Sequence, residues 1–531
     1  MHKAAQDTGT IARSAGTVGA AVLCSRVLGL VREQVFAYLF GAGFAFDAFV
    51  VAFRIPNLLR DLFAEGALSA AFVAVFSDYD ENQGEEKTWQ LANTVIAFFC
   101  VVLSGLVLLG IFFADDLVRF MVEKEFQQMP GKVALTAKLT RIMFPFLLVV
   151  SLSSVVMGTL NTKGRFFVPA LAASFFNVGS LVGGITMAVV MPWFGQPAIV
   201  GMAIGTMLGG LLQLGGQLPT LFATGFRFRW HFDWHDPGLR RILRLMVPAV
   251  IGLAPLQVNV LVNTYFASSL GQGAISWLNY AFRLFFFPVG IFGVALSTAT
   301  MPVIARYAAQ RDLERLRETV VSSLIMAFCL TIPASVGLIM LSEPIIRLVY
   351  QYGRFDAFTT MRTAEALRCY SLGLFAYAAV KIVVPVFYAL NDTKFPVMGS
   401  FLTMILNVVI ILLTVGTLQH RALALSISLA MTCNFLFLGA ALYRKVEGYP
   451  LAYVAKGLAK VVAASLIMAG WLYGLHHLLA GVSPATRWVE AGSLLFMMAT
   501  SVALYGAALY LLRVRELTML VDKLRGRFLP A

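Results

Sequence analysis

Charged side chains stand inside stretches of this chain that are otherwise apolar, and arginine leads among them. Residues 11–40 carry Arg26, Arg32 and Glu33, and residues 44–77 carry Asp47, Arg54, Arg60, Asp61 and Glu65. Residues 273–302 carry Arg283, and residues 361–390 carry Glu365, Arg368 and Lys381. An arginine at the centre of a membrane helix costs about 2.5–3.5 kcal/mol, so such residues usually face a cavity or a partner. Guanidinium is planar, permanently charged and able to bond two oxygens at once, which suits phosphate. Two or three arginines around one water-filled cavity would therefore hold a diphosphate. Arg26 and Arg32 lie somewhat off a common helical face, and Gly29 between them offers a bend that would turn both inward. Pro56 invites a kink in the second stretch. There Arg54, Asp61 and Glu65 share one helical face.

Each of these residues also has a plainer reading. An arginine near a span end anchors the helix by snorkelling to the surface, which suits Arg54 and Arg368. Asp47 follows the Gly41–Gly43 turn, so it either caps the second helix or serves an ion pair. Glu65 is either a structural partner of an arginine or part of a gate. Lys381, ahead of Pro385, has no assignment from sequence. The histidines fall in loops or near span ends, and the five cysteines lie singly in apolar segments, as small core residues do. The chain has no G-x-x-x-x-G-K-S/T phosphate loop, no HExxH and no G-x-S-x-G elbow. Nothing in it suggests covalent catalysis or a metal cofactor.

The elements that position these charges follow from composition. Of 531 residues, 59% are hydrophobic and 13% charged, and the mean hydropathy is +0.81. Soluble domains carry about a quarter charged residues. The apolar runs are continuous rather than alternating, which selects membrane helices over a barrel. We expect fourteen spans, at 11–40, 44–77, 89–114, 134–160, 166–191, 197–223, 239–269, 273–302, 319–342, 361–390, 395–416, 420–443, 454–476 and 488–512. The first contains Arg26 and Arg32, so it lacks the charge-free core of a cleavable signal peptide. One side of the membrane collects Arg227, Arg229, Arg240, Arg241, Arg244, Arg306, Arg311, Arg315, Arg317, Arg444, Lys445, Lys456, Arg513 and the basic tail with Arg515, Lys523, Arg525 and Arg527. The other side has only Arg119, Lys124, Lys132, Arg347, Arg354, Arg421 and Arg487. Positive loops stay inside, so both termini are expected in the cytoplasm. The net charge of +14 is mostly this topological signal, not a nucleic-acid footprint.

The chain also repeats itself. Ala52-Phe53-Arg54 recurs as Ala281-Phe282-Arg283, and Ala67-Leu68-Ser69 as Ala295-Leu296-Ser297. Gly41 and Gly43 recur as Gly271 and Gly273, and Leu160-Asn161 with Asn177-Val178 recurs as Leu390-Asn391 with Asn407-Val408. The offsets lie between 228 and 230 residues. An even number of spans per repeat gives both halves the same orientation. We therefore expect an all-α membrane protein of two six-helix lobes, residues 1–223 and 224–443, with a cavity between them. Residues 444–531 would add two helices and a cytoplasmic tail. Such repeats place transporter sites near the midplane.

Ser25-Arg26-Val27-Leu28-Gly29, Arg32-Glu33, Phe40-Gly41-Ala42-Gly43, Asp47-Ala48-Phe49, Pro56-Asn57-Leu58-Leu59-Arg60 and Phe63-Ala64-Glu65-Gly66-Ala67 together resemble the MurJ (MviN) family of lipid II flippases. The stretch from Arg283 to Pro302 is similar too, and the resemblance covers nearly the whole chain. It implies the multidrug/oligosaccharidyl-lipid/polysaccharide exporter fold, whose lobes alternate between inward-open and outward-open. It implies lipid II as cargo: a disaccharide-pentapeptide on undecaprenyl diphosphate. It places substrate-binding arginines at Arg26, Arg32, Arg60 and Arg283, makes Asp47 important and matches Glu33 to an acid that orients cavity arginines; with Glu65 these acids are the gating or ion-pair candidates. It implies a groove for the lipid tail in the last two spans. Phe282 stands where some members have an acid, and Asp61 where some have a second arginine. The carboxylates that bind sodium in some members, in spans seven and eleven, are missing here, where Thr403 and Asn407 stand instead.

The expected function is a flippase, not an enzyme, in peptidoglycan biosynthesis at a bacterial inner membrane. Its partners would be lipid II, membrane lipids and cell-wall synthesis proteins, with no nucleic acid. No cofactor is expected, and coupling to sodium or a proton stays open. The alternatives are an exporter of drugs or another polyprenyl-linked glycan on the same fold, a membrane enzyme acting on polyprenyl phosphates, and a scaffold.

Overall fold

A computed structural model describes residues 2–62, 68–479 and 486–514. Glu65 and the tail's Arg515, Lys523, Arg525 and Arg527 lie outside the described residues. All regular structure among the described residues is helical. The apolar runs leave the backbone no partner but itself, and an α-helix satisfies every interior N–H and C=O within one segment.

The chain divides into two compact units, Met1–Ser276 and Trp277–Ala531. The first unit holds α1 (His2–Phe40), α2 (Phe44–Arg60), α3 (Ser69–Asn82), α4 (Glu85–Phe112), α5 (Ala114–Met121) and α6 (Lys124–Gln128). It continues with α7 (Lys132–Met143), α8 (Phe146–Thr162), α9 (Phe167–Val190), α10 (Ala198–Gly215), α11 (Leu218–Ala223) and α12 (Pro237–Ser268). The first turn of α13 (Ala274–Pro288) closes it. The second unit holds the rest of α13, then α14 (Val294–Ala309), α15 (Leu313–Met340), α16 (Ser342–Tyr350), α17 (Ala357–Ser371) and α18 (Leu374–Ala389). It ends with α19 (Lys394–Leu418), α20 (His420–Lys445), α21 (Leu451–Leu479) and α22 (Arg487–Leu511).

Among the described residues, 11 helices are long and apolar enough to cross a membrane, or 12 if α17 and α18, bent by 44°, form one span. Each coincides with one of the expected spans. The other two expected spans, 11–40 and 44–77, fall on α1 and on α2 with α3, the charged elements. Among the described residues, length and hydropathy by themselves single out 11 or 12 candidate spans.

Two breaks recur at repeat-related places. Beyond Pro56, α2 widens into a π-type turn at Asp61 and Leu62, and α13 passes through a π-helical segment, Val289–Gly293, into α14. Such wide turns free backbone groups and cluster at functional sites. The Gly41 turn before α2 (φ 61°) and the Gly271 and Gly273 turn before α13 (φ 85° and 97°) use conformations that only glycine adopts without strain.

Close packing in the first unit centres on α9 and α10. Gly201, Gly205 and Gly209 line one face of α10 at four-residue spacing. A Cβ there would lie 2.2 Å from the Ala188 backbone nitrogen, 2.3 Å from Gly184 Cα and 2.6 Å from the Phe176 carbonyl oxygen respectively. Small residues let two backbones approach where lipid supplies no hydrophobic drive. The same contact fixes α9, which also meets α1. In the second unit, Phe328, Ile382, Phe387 and Leu438 form a core of α15, α18 and α20. Helices α21 and α22 pack on α15, where the Tyr505 hydroxyl donates to the Cys329 carbonyl at 2.8 Å.

Candidate functional site

In the first unit the charged face of α1 is held by α9. Asn177 Nδ2 donates to the Ser25 carbonyl at 3.0 Å, and Gly29 lies against the same amide. Helix α1 runs unbroken through Gly29, so that glycine's observed use is contact with Asn177 rather than a helix break. Arg32 reaches its neighbour Glu33, Nη2 to Oε1 at 3.0 Å, and its guanidinium carbon sits 5.3 Å from the Phe176 ring centre. Both side chains are mostly buried, at 12% and 7% exposure. Adjacent residues on a helix point about 100° apart, so the arginine must curl to meet its acid. Salt bridge and ring together hold a permanent cation in one orientation. Arg26 is half-buried, about 9 Å along the axis from Arg32. No ion pair of Arg26 is found among the described residues.

At the end of α2, Arg60 donates to Asp61 Oδ1 from Nη2 at 2.7 Å and from Nε at 3.1 Å. Asn57 Nδ2 donates to the other carboxylate oxygen at 3.3 Å. Arg60 is therefore placed by the residue after it, at the mouth of the π-type turn. Arg54 is half-buried one helical turn and a half earlier.

Asp47 is wholly buried, and so is Lys132 at the start of α7, 85 positions along the chain. Lys132 Nζ donates to Asp47 Oδ2 at 3.0 Å. That oxygen also accepts from the Gly273 backbone N–H at 2.8 Å. Oδ1 accepts from the Ser276 backbone N–H at 3.1 Å and from its hydroxyl at 2.6 Å. Asp47 thus serves the start of α13 rather than its own helix, and Ser276 is its partner across the repeat offset. Lys132 has the Phe126 ring 4.4 Å away. Sequence reasoning listed Lys132 as a loop cation only. Its place immediately before an apolar run, after Gly131, was the one available signal.

In the second unit, Arg283 is exposed on α13 with Phe287 one turn on, while Tyr280, Ala281 and Phe285 are fully buried. Tyr280 and Phe285 pack on Tyr350, Phe355 and Tyr370. Arg283 thus stands on the exposed side of a well-seated apolar helix. Glu365 meets Arg362 at 3.4 Å and the buried His420 at 3.3 Å, and Arg368 donates to the Ser342 hydroxyl at 2.7 Å. The Arg362 pair lies within α17, and the other two tie α17 to α20 and α16. Lys381 is exposed on α18. Thr403 donates to the Gly399 carbonyl and Ser426 to Asn407 Oδ1, both at 2.8 Å, so this buried group is neutral and offers a sodium ion no carboxylate. No cluster of three metal-ligating side chains occurs among the described residues.

Comparison with known proteins places this geometry. The family described as lipid II flippase MurJ matches residues 36–487. A probable lipid II flippase MurJ of Buchnera aphidicola subsp. Acyrthosiphon pisum (strain APS) is 35% identical over 465 residues, covering 87% of this chain and 90% of that one. A solved structure of lipid II flippase MurJ in an inward closed conformation superposes with TM-score 0.78 at 25% identity, covering 93% of this chain and 98% of its own. An inward-facing multidrug resistance MATE family transporter of the MOP superfamily shares the fold, with TM-score 0.70 at 16% identity over 80% of this chain and 94% of its own.

Proposed function

The chain belongs to the MurJ family of lipid II flippases, and on that premise we propose that it carries lipid II from the cytoplasmic to the periplasmic leaflet of a bacterial inner membrane by alternating access. One observation carries the chemistry: a span arginine, Arg32, is held in one orientation by Glu33 and Phe176 instead of being left to snorkel. A buried, oriented guanidinium is a preformed half of a phosphate site.

In this reading Arg26, Arg32 and Arg283 clamp the diphosphate, and Arg60 joins them at the end of α2. Glu33 orients Arg32. Asp47, supported by its bonds to Lys132 and the first turn of α13, acts as a gating ion pair, and Glu65 acts as a second gate. The six-helix lobes 1–223 and 224–443 rock, while 444–531 guides the tail, with both termini cytoplasmic. Membrane potential resets the carrier, at about 2.3 kcal/mol per charge per 100 mV. A sodium or proton gradient is the competing source, and cell-wall synthesis proteins are candidate partners.

The test is a lipid II flipping assay in vesicles with Arg26→Ala, Arg32→Ala and Arg283→Ala. Loss of transport in each, with the protein still folded, is expected. Full transport by all three removes the clamp. The likeness to a drug transporter keeps one alternative, export of drugs or another polyprenyl-linked glycan. Lack of lipid II binding by the purified protein would favour it. The family's description as flippases leaves no place for the polyprenyl phosphate enzyme.

A further inference from the structure

The linker between α11 and α12, residues 224–236, has no helix of its own and is strapped along α4. Asn93 grips its backbone twice: Nδ2 donates to the Arg227 carbonyl at 3.2 Å, and Oδ1 accepts from the Arg229 N–H at 3.0 Å. Phe226 is buried edge-on to Trp89 at 5.6 Å, and Trp234 lies 5.2 Å from Phe98. Asn93 and Phe98 are about 12 and 20 Å along α4 from its start. The strap therefore runs down the flank of a membrane helix. Its irregular backbone needs polar partners that hydrocarbon cannot give, so it belongs in the headgroup layer.

Its outer face has a specific make-up. Phe228, Trp230, Phe232 and Trp234 are 44–60% exposed. Arg227 and Arg229 alternate with them, and Arg240 and Arg244 follow on the first turns of α12, all exposed. The nearby acids are hydrogen-bonded elsewhere, Glu85 beside Gly225 accepting from Trp89 Nε1 at 3.2 Å. Asp233 accepts from the His235 N–H at 2.8 Å, and Asp236 from the Leu239 N–H at 2.9 Å. Asp78 is taken by Arg241. Among the described residues, no ion pair involves Arg227, Arg229, Arg240 or Arg244.

We infer that this strap is a binding surface for anionic glycerophospholipid headgroups, separate from the residues proposed to hold the cargo. The arginines meet the phosphodiester and the added negative charge of the headgroup, while the tryptophans sit at the acyl boundary with their N–H groups toward it. A zwitterionic headgroup gains less, because its own cation repels the arginines. Charge complementarity and interfacial aromatics select lipid over a protein partner, which would leave the aromatic rings no acyl boundary to occupy.

The full-length protein is reconstituted in phosphatidylcholine vesicles containing either phosphatidylglycerol or phosphatidylcholine with brominated acyl chains, and tryptophan quenching is read. Brominated phosphatidylglycerol should quench more strongly. W230F/W234F should remove the difference, and R227Q/R229Q/R240Q/R244Q should abolish the preference, at about fivefold per arginine. R227K/R229K/R240K/R244K should keep most of it, and added salt should weaken it. Should the glutamine variant misfold, the salt series and the lysine variant on folded protein decide the matter. Equal quenching of the natural sequence by both lipids overturns the inference, as does a preference that survives in the glutamine variant. Flipping in the same vesicles is a separate readout, so failure here leaves the transport reading standing.

Discussion

Replacing Lys132 by Met is the most informative single change in the first unit. The Asp47 carboxylate now has four donors: the Lys132 ammonium at 3.0 Å, two backbone N–H groups at 2.8 and 3.1 Å, and the Ser276 hydroxyl at 2.6 Å. Met preserves the length of the stem that lies against Phe126, so the substitution removes a charge and little volume. Breaking a buried pair costs about 3–5 kcal/mol, mostly from the charge left behind. Three donors remain for the carboxylate, which puts Lys132→Met at the low end, about 3 kcal/mol. Asp47→Asn leaves the buried ammonium without a counter-charge, facing a neutral amide, aromatic rings and the Met129 sulfur at 3.5 Å, which puts it near the high end, about 5 kcal/mol. The double variant D47N/K132M leaves no buried charge and should be more stable than D47N. At about 2 °C per kcal/mol, thermal unfolding of the purified full-length protein should fall by roughly 6 °C for K132M and 10 °C for D47N. A double variant that loses the sum of the two singles refutes the pairing, and an unchanged Tm for D47N refutes the magnitude.

Other expectations follow from single contacts. Arg32→Lys keeps the charge but loses the forked geometry and the stacking over Phe176, so flipping should drop about tenfold, one effective hydrogen bond's worth, with folding intact. Full activity of the lysine variant would mean that charge alone matters. Gly205→Ala pushes a methyl into the Gly184 backbone and should destabilise by about 1–3 kcal/mol, whereas Gly215→Ala in the same helix meets nothing within 4 Å and should be harmless. Equal thermal stability of the two variants would contradict that close approach. The Lys445 ammonium holds the Asp392 carboxyl below the usual carboxylate range, with burial opposing. A lowered folded value means the contribution is complete above the ordinary Asp value of about 3.9 and is lost as pH falls through the lower one. Unfolding followed from pH 7 downward should be unaffected by Asp392→Asn in its pH slope until below that value, where the natural chain alone loses stability.

Sequence alone settled the class of element and the candidates for chemistry. Hydropathy decides whether a segment is in water or lipid, and lipid forces helices, so the apolar runs, their ends and the lone arginines were legible one segment at a time. The repeat was legible too, because its Gly turns and Ala-Phe-Arg triplets are local patterns, and the paired π-type breaks after α2 and α13 fall at matching places. What the tertiary structure decided was partnership. Lys132 read as a loop cation because its partner Asp47 is 85 positions away and nothing in the local pattern of either names the other. The same holds for Phe176 beneath Arg32, for Asn177 on Ser25, and for Asn93 holding the strap. Asp47 looked able to cap its own helix, yet the turn of α13 offered two N–H groups and a hydroxyl in a closer fit. Asp61, read from sequence as a face-mate of Arg54 and a departure from family pattern, proved to be the neighbour that places Arg60. Periodicity encodes which face of a helix avoids water, while the identity of the group across that face depends on how helices distant in sequence pack. That packing rests on close contacts such as the glycines of α10, whose consequence for the arginine on α1 appears only once the third helix between them is in place.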